Sequence, residues 1–540
     1  MKPTSLAALL TTLTLAACGG GDSGGAPAPG PGPDPAAFTL SLERHEVPVG
    51  QGAIASLTVS AVRASGFSGA IELSVAGLPA GVTVPVATLP ANATSVDLAF
   101  VAAQDAPHSL PTTVTVRGTS GAASATQTAF VTVFGAPGAV DTSFGGGSVV
   151  TPVGVGEDFA EALAVQPDGK IVVVGSSTGV SGTDVAVVRY DRDGVLDAGF
   201  GTGGKVVTEA GAGDSQALAV ALQPDGKIVV AGAANGGASG LDFVVLRYLA
   251  DGKPDPSFGI GGQVLVPFGN GSDRARAVAV QPDGKIVAAG EADVATTGTD
   301  FALVRLDASG DLDGGFGTGG KVTTAVKSAN GRDVVWALAL VTVAGETRAV
   351  AAGGDGDFTI VRYTAAGVPD ASFSGDGIVS NVFGTSIGSA YAVAAQADGK
   401  LVVAGHAGHD FALLRLDGAG APDGGFGAGG KVIEQISATN WDEATAVAVQ
   451  PDGRIVAGGW VFAGNSSAGD FAVLRLLEDG TPDGSFGTAG RVVTPVAGAK
   501  GDSAHALALQ PDPRVPSTRI LLAGGASGSN FDFALTRYWP

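Results

Sequence analysis

The sequence predicts an all-β fold in which one hairpin recurs along most of the chain. Three observations carry this. The composition is turn-rich: 87 of 540 residues are Gly and only 15% are charged, and the apolar residues fall in short Val/Ile/Leu runs without helical periodicity. The stretch 217–232, ALAVALQPDGKIVVAG, is two apolar runs joined by Gln223-Pro224-Asp225-Gly226. Pro pre-sets the first central position of a type I turn and Gly tolerates the left-handed position that follows, so the two runs form a β-hairpin. The third observation is recurrence. Variants of the turn begin at Gln166, Gln281, Gln396 and Gln450, a damaged copy begins at Gln510, and 341–348 holds the same place without the motif.

Taken in order, residues 1–18, MKPTSLAALLTTLTLAAC, pair a positive Lys2 with an apolar run too short to span a bilayer stably. This reads as a signal peptide. Its end, Leu15-Ala16-Ala17-Cys18, resembles the lipobox of bacterial lipoproteins, which implies cleavage before Cys18 and lipidation of that residue. Cys18 is also the chain's one cysteine, so no intrachain disulfide forms. The resemblance further implies a membrane partner through the lipid anchor. Gly19, where an Asp would favour inner-membrane retention, points to the outer membrane of the cell envelope. Residues 19–36 are a Gly/Pro-rich linker with no means of forming a core.

Residues 37–135 change character. Seven runs, at 39–44, 55–63, 70–76, 82–89, 95–102, 112–118 and 125–134, alternate apolar with polar; Leu57, Val59 and Ala61 share one face, and Ile71, Leu73 and Val75 another. Seven short strands in about 100 residues predict an Ig-like β-sandwich. The block from Gly66 to Val82 resembles the Ig-like modules of bacterial surface proteins, which implies a spacer.

Residues 136–540 hold the repeats. The marker Asp-x-x-Phe-Gly-x-Gly-Gly, with small departures, stands at Asp141, Asp197, Asp255, Asp313, Asp370, Asp423 and Asp483. Each unit reads as four strands, in the second copy 217–222, 227–231, 242–248 and 263–267. Four strands per long repeat make a propeller blade, and seven sets predict a seven-bladed β-propeller. Only six fourth strands lie between the sets. The seventh is expected at the front, at 148–153, completing the last blade beside 533–538 and removing its open edge. The signature QPDGKIVVAG…DFxVxRY…DG…DxSFGxGG resembles the delta-60 repeat family over about 400 residues; the resemblance implies a β-propeller and no established activity.

The repeated residues read as structure. The second and fourth positions before each turn Gln, or its equivalent, are Ala in all seven copies, giving each first strand a small-residue face suited to crowding at an axis. Thirteen of 23 Phe are locked to the repeat, as core. Arg189, Arg247, Arg305, Arg362, Arg415, Arg475 and Arg537 recur with the marker Asp residues as pairs or turn caps, the alternative being a ring of anion sites.

Function is expected where the repeats disagree. The loops between second and third strands vary, from 354–356 to 460–469. The fifth position before the turn holds Glu161, Leu218, Arg276, Trp336, Tyr391, Thr445 and His505. With Trp441 and Trp460, these mark a ligand-contact set at the mouth of the ring. Eight before the turn stand Asp158, Asp273, Asp333, Asp442 and Asp502, a candidate Ca²⁺ set, or loop caps acting through their own backbone amides. His406 and His409 are a weaker metal candidate, and no other cofactor is indicated. The formal charge of −21 argues against nucleic acid as partner. The reading that results is a non-enzymatic binding or scaffold module for a protein or glycan. The alternative is a polysaccharide hydrolase or lyase using Glu161 with Asp158 or Glu443 with Asp442.

Overall fold

The computed structural model describes residues 37–540 apart from 110, 180–181, 238–239, 270, 327–330, 355, 357, 381, 385–386, 438–440, 463–468, 497–500, 514–517 and 529. The signal peptide, Cys18, the linker, and parts of the variable loops 354–356 and 460–469 lie outside the described residues.

Residues 38–134 form two sheets. One runs in the order Phe38–Leu42, Ile54–Arg63, Ser95–Ala102, Val82–Thr83; the other runs Glu46–Gly50, Ala123–Phe134, Thr112–Ser120, Ile71–Ala76, Ala87–Leu89. The alternating residues meet as expected, with Leu57, Val59, Leu73, Leu98, Val114 and Val131 in one buried core. Two details differ from the sequence reading. The run 82–89 is not one strand. Pro85 offers no N–H, and the chain changes sheets there, Val82–Thr83 pairing with Ser95–Ala102 and Ala87–Leu89 with Ile71–Ala76. Glu46–Gly50, outside the seven runs, pairs in parallel with Ala123–Phe134.

After Asp141 the described residues form seven sheets, each built on four antiparallel strands, and in the third the short Gly331–Arg332 adds in parallel to Gly298–Leu306. In the second the four strands are Ser215–Leu222, Ile228–Asn235, Leu241–Tyr248 and Gln263–Val266. The turns behave as their chemistry requires: Gly226 N donates to Gln223 O at 2.9 Å with Gly226 at φ +85°. The fourth unit solves the same problem differently. Val335–Val343 and Glu346–Gly353 join through Ala344-Gly345, both left-handed, a two-residue hairpin whose twist suits the strands.

The last sheet is composite. Ser148–Thr151 pairs antiparallel with Phe533–Thr536, outside Arg519–Ser527 and Asp502–Gln510. Each first strand packs on the next one, and Asp502–Gln510 packs on Asp158–Val165, so the sheets close on themselves. A separate apolar core fills each gap between consecutive sheets. The closing gap holds Ala160 and Val173 from the first sheet and Phe144, Leu521, Phe533 and Leu535 from the last.

The strand-three Arg and the marker Asp form one repeated latch. Arg247 Nε donates to Asp255 Oδ2 at 2.7 Å, Arg247 Nη1 reaches Ala308 O on the next sheet at 2.6 Å, and its guanidinium lies over Phe258 at 4.5 Å. Arg189, Arg305, Arg362, Arg415 and Arg475 repeat the ion pair with the Asp eight residues later. The turn Lys adds a second cation, as Lys285 does to Asp313 at 2.9 Å. Where the turn motif is lost, Arg348 and Arg519 take its place on Asp370 and Asp141.

Candidate functional site

The innermost strand of every sheet carries one irregularity at the same place. Pairing with the second strand skips a residue between Ala160 and Ala162, Ala217 and Ala219, Ala275 and Ala277, Val335 and Ala337, Ala390 and Ala392, Ala444 and Ala446, and Ala504 and Ala506. The skipped residues are Glu161, Leu218, Arg276, Trp336, Tyr391, Thr445 and His505. These are the seven positions at which the repeats disagree. A β-bulge leaves one residue unpaired and re-aims its side chain. Here the seven re-aimed side chains, with Glu443 and Trp460, line a single cavity of about 310 Å³.

A signal for the bulge lies on the second strand. Gly175, Gly232, Gly290, Gly353, Gly405, Gly459 and Gly524 stand opposite the bulges. A Cβ on any of them would overlap the backbone carbonyl oxygen two residues before the bulged residue, for example Arg274 O for Gly290. The Gly nine residues after the turn Gln in five copies, closing the run KIVVAG in the second, is the sequence trace of this contact.

Around the cavity the side chains form a linked wall. Arg276 is held bidentate by Glu291, with Nε to Oε2 at 2.7 Å and Nη2 to Oε1 at 2.9 Å, and lies 4.1 Å over the Trp336 ring. Trp336 meets Tyr391 edge-on at 5.3 Å, and Tyr391 lies 5.5 Å from His406. His406 and His409 flank Trp441 at 5.4 and 4.5 Å. Trp441 does not line the cavity. It stands behind it and donates its Nε1–H to Glu443 Oε1 at 2.7 Å. Trp460 sits opposite Glu443 in the strand register. His505 Nδ1 lies 3.0 Å from Glu161 Oε2, and Thr445 Oγ1 donates to Ala504 O at 2.8 Å.

The electrostatics divide the titratable groups. Burial pulls the His505 imidazole down, but the charge and hydrogen bond of Glu161 outweigh it, and its pKa lies above the ordinary value. Burial pushes the Glu443 carboxyl up, more than the Trp441 hydrogen bond and the His505 charge pull it down. His406 is buried, and burial together with His409 lowers it to about 4, so it is neutral at pH 7.

The five Asp residues do not share a site. Each is buried and accepts backbone N–H groups of the loop before its strand: Asp158 from Val153 and Gly154, Asp273 from Phe268, Asp333 from Val326, Asp442 from Ile436 and Ser437, and Asp502 from Val496. They act as loop caps. Among the described residues no group of three or more His, Cys, Asp or Glu could hold a metal ion, and the pair His406 and His409 packs on Trp441 instead. The pairings Glu161 with Asp158 and Glu443 with Asp442 likewise put only one carboxylate each into the cavity, since both Asp side chains are engaged by backbone amides. Glu291, which neutralises Arg276, and the bulges themselves are what sequence reasoning missed.

No curated protein matches the chain. Among solved structures, a DUF4784 family protein from Bacteroides caccae ATCC 43185 is similar over 75% of this chain and 97% of its own, at 9% identity and a TM-score of 0.27. The family described as "Domain of unknown function (DUF5122) beta-propeller" matches residues 166–200, 223–258, 281–316, 341–373, 396–426 and 450–486, the hairpins and latches described above. These matches and the four-stranded sheets of this all-β chain support a β-propeller repeat family.

Proposed function

We propose that the protein is a lipoprotein of the bacterial outer membrane, lipidated at Cys18, in which an Ig-like sandwich carries a seven-bladed β-propeller. The propeller acts as a non-enzymatic binding module for a glycan or protein. One observation carries the binding reading: the position where the seven repeats disagree is the position that a β-bulge turns into a common cavity. A purely structural ring has no use for seven different side chains there, while the third-strand Arg, the marker Asp and the alternating Ala keep their residue type in every copy. Half-buried aromatic rings beside fixed carboxylates and an Arg suit a ligand end that is part apolar and part polar.

The test is a glycan- and protein-array screen of the full chain carrying Cys18→Ser, run beside a panel of polysaccharide hydrolase and lyase assays. Saturable binding without turnover supports the binding reading. Turnover that is lost in Glu161→Gln or Glu443→Gln favours the enzymatic alternative.

A further inference from the structure

The charges that meet in the cavity do not balance. Arg276 is neutralised by its bidentate contact with Glu291, and His505 is matched by Glu161. Glu443 has no cation within ion-pair distance among the described residues; its Oε1 takes the Trp441 N–H. Its Oε2 receives no hydrogen bond from the described residues. A half-buried carboxylate held by one hydrogen bond and by the His505 charge from beyond ion-pair distance is short of the compensation that burial demands. Beside it lie Trp460, opposite in register, and the further aromatic lining of Tyr391 and Trp336. The same wall already holds one cation against a ring, Arg276 over Trp336 at 4.1 Å.

Resting on the reading of this cavity as a binding site, we propose that it recognises a compact organic ammonium group, with Glu443 as its counter-ion and the Trp460 and Tyr391 rings as its apolar surround. An ammonium offers several N–H donors to Oε2 and is attracted to aromatic faces, most strongly where water is excluded. A free anion would meet the Glu443 carboxylate, which the His505 charge offsets only in part, and is disfavoured. The cavity, at about 310 Å³, admits one sugar ring or one extended side chain. The group can therefore be borne by an amino sugar or by a lysine.

The test titrates the full chain carrying Cys18→Ser with matched pairs, following tryptophan fluorescence and heat. The pairs are D-glucosamine against D-glucose, and Nα-acetyl-lysine amide against Nα-acetyl-norleucine amide, with D-glucuronate as the anionic control. The expected result is a preference of about tenfold or more for the ammonium member of at least one pair, the scale of one partly desolvated charge contact. Which pair shows it tells sugar from lysine as the source. Glu443→Gln should erase the preference, and Trp460→Leu should weaken the ammonium member more than the neutral one. Equal binding of neutral and ammonium members, tighter binding of glucuronate, or a preference that survives Glu443→Gln overturns the inference while leaving the cavity a binding site. Binding by no member of the panel and no array ligand overturns both.

Discussion

Arg537 Nε donates to Asp141 Oδ2 at 2.7 Å across 396 residues of chain. In the latches of the other six sheets, the same ion pair joins residues eight apart. The last latch is therefore also the clasp of the ring. Around it Asp141 N donates to Arg537 O at 2.7 Å, and Ser148–Thr151 pairs with Phe533–Thr536. Both side chains are fully buried, so neither can exchange its partner for water.

Asp141→Asn should accordingly cost about 3–5 kcal/mol, the usual loss when a buried pair is broken from one side and a guanidinium is left uncompensated. Urea unfolding monitored by tryptophan fluorescence measures it. Deleting residues 137–153 should go further, lowering the melting temperature and promoting aggregation, because it exposes the edge of Phe531–Tyr538. A loss below about 1 kcal/mol for Asp141→Asn would show that the clasp is dispensable.

Much of this architecture was legible because it is repeated. The closing strand near Ser148 followed from counting seven third strands against six fourth ones. The Arg–Asp latches followed from equal recurrence, and seven of the side chains that line the cavity from a position that varies in every copy. What was not legible depends on neighbours in space. Nothing near Trp336 announces a bulge; its cause, the room left by Gly353, sits on the adjacent strand. Glu291 reads as one more strand residue until the fold places it under Arg276. Pro85 was visible, but not that the chain changes sheets at it.

The bulges give a second expectation. Gly290→Ala puts a methyl group onto the Arg274 carbonyl, with no flexible side chain able to yield. The cost should reach or exceed the upper end of the roughly 1–3 kcal/mol usual for overpacking, and Arg276 should lose its bidentate hold on Glu291. A neutral effect in thermal denaturation would mean the strands can straighten without loss.

Acid sensitivity should come from His406. Its pKa is about 4 in the folded protein, against an ordinary 6.5, because its buried imidazole resists charging. The unfolded chain therefore takes up the proton first, and stability falls as the pH drops from about 6.5 to about 4, by up to about 3 kcal/mol. His406→Phe should flatten that part of the stability–pH profile. An unchanged slope in the variant would remove His406 as the cause.

His505 should act with the opposite sign. Its pKa is raised, so the stabilisation from its pairing with Glu161 is complete below the ordinary histidine value and is lost as the pH rises through the higher folded value. His505→Gln should abolish that alkaline decline, measured by chemical denaturation across the neutral range.

Lipidation is tested at Cys18. Cells labelled with an alkyne fatty acid should transfer label to the parent chain and not to Cys18→Ser. Equal label on both would sink the anchor reading.

The most direct test of the binding site is the array screen read twice, once with the parent protein and once with Trp336→Ala/Tyr391→Ala. These two side chains line the cavity and meet edge-on at 5.3 Å. Their removal should abolish the parent's specific signals, by about tenfold or more in affinity, while the chain still melts as one folded species. The same signals retained at parental strength by the folded double variant would contradict the assignment of ligand binding to this cavity.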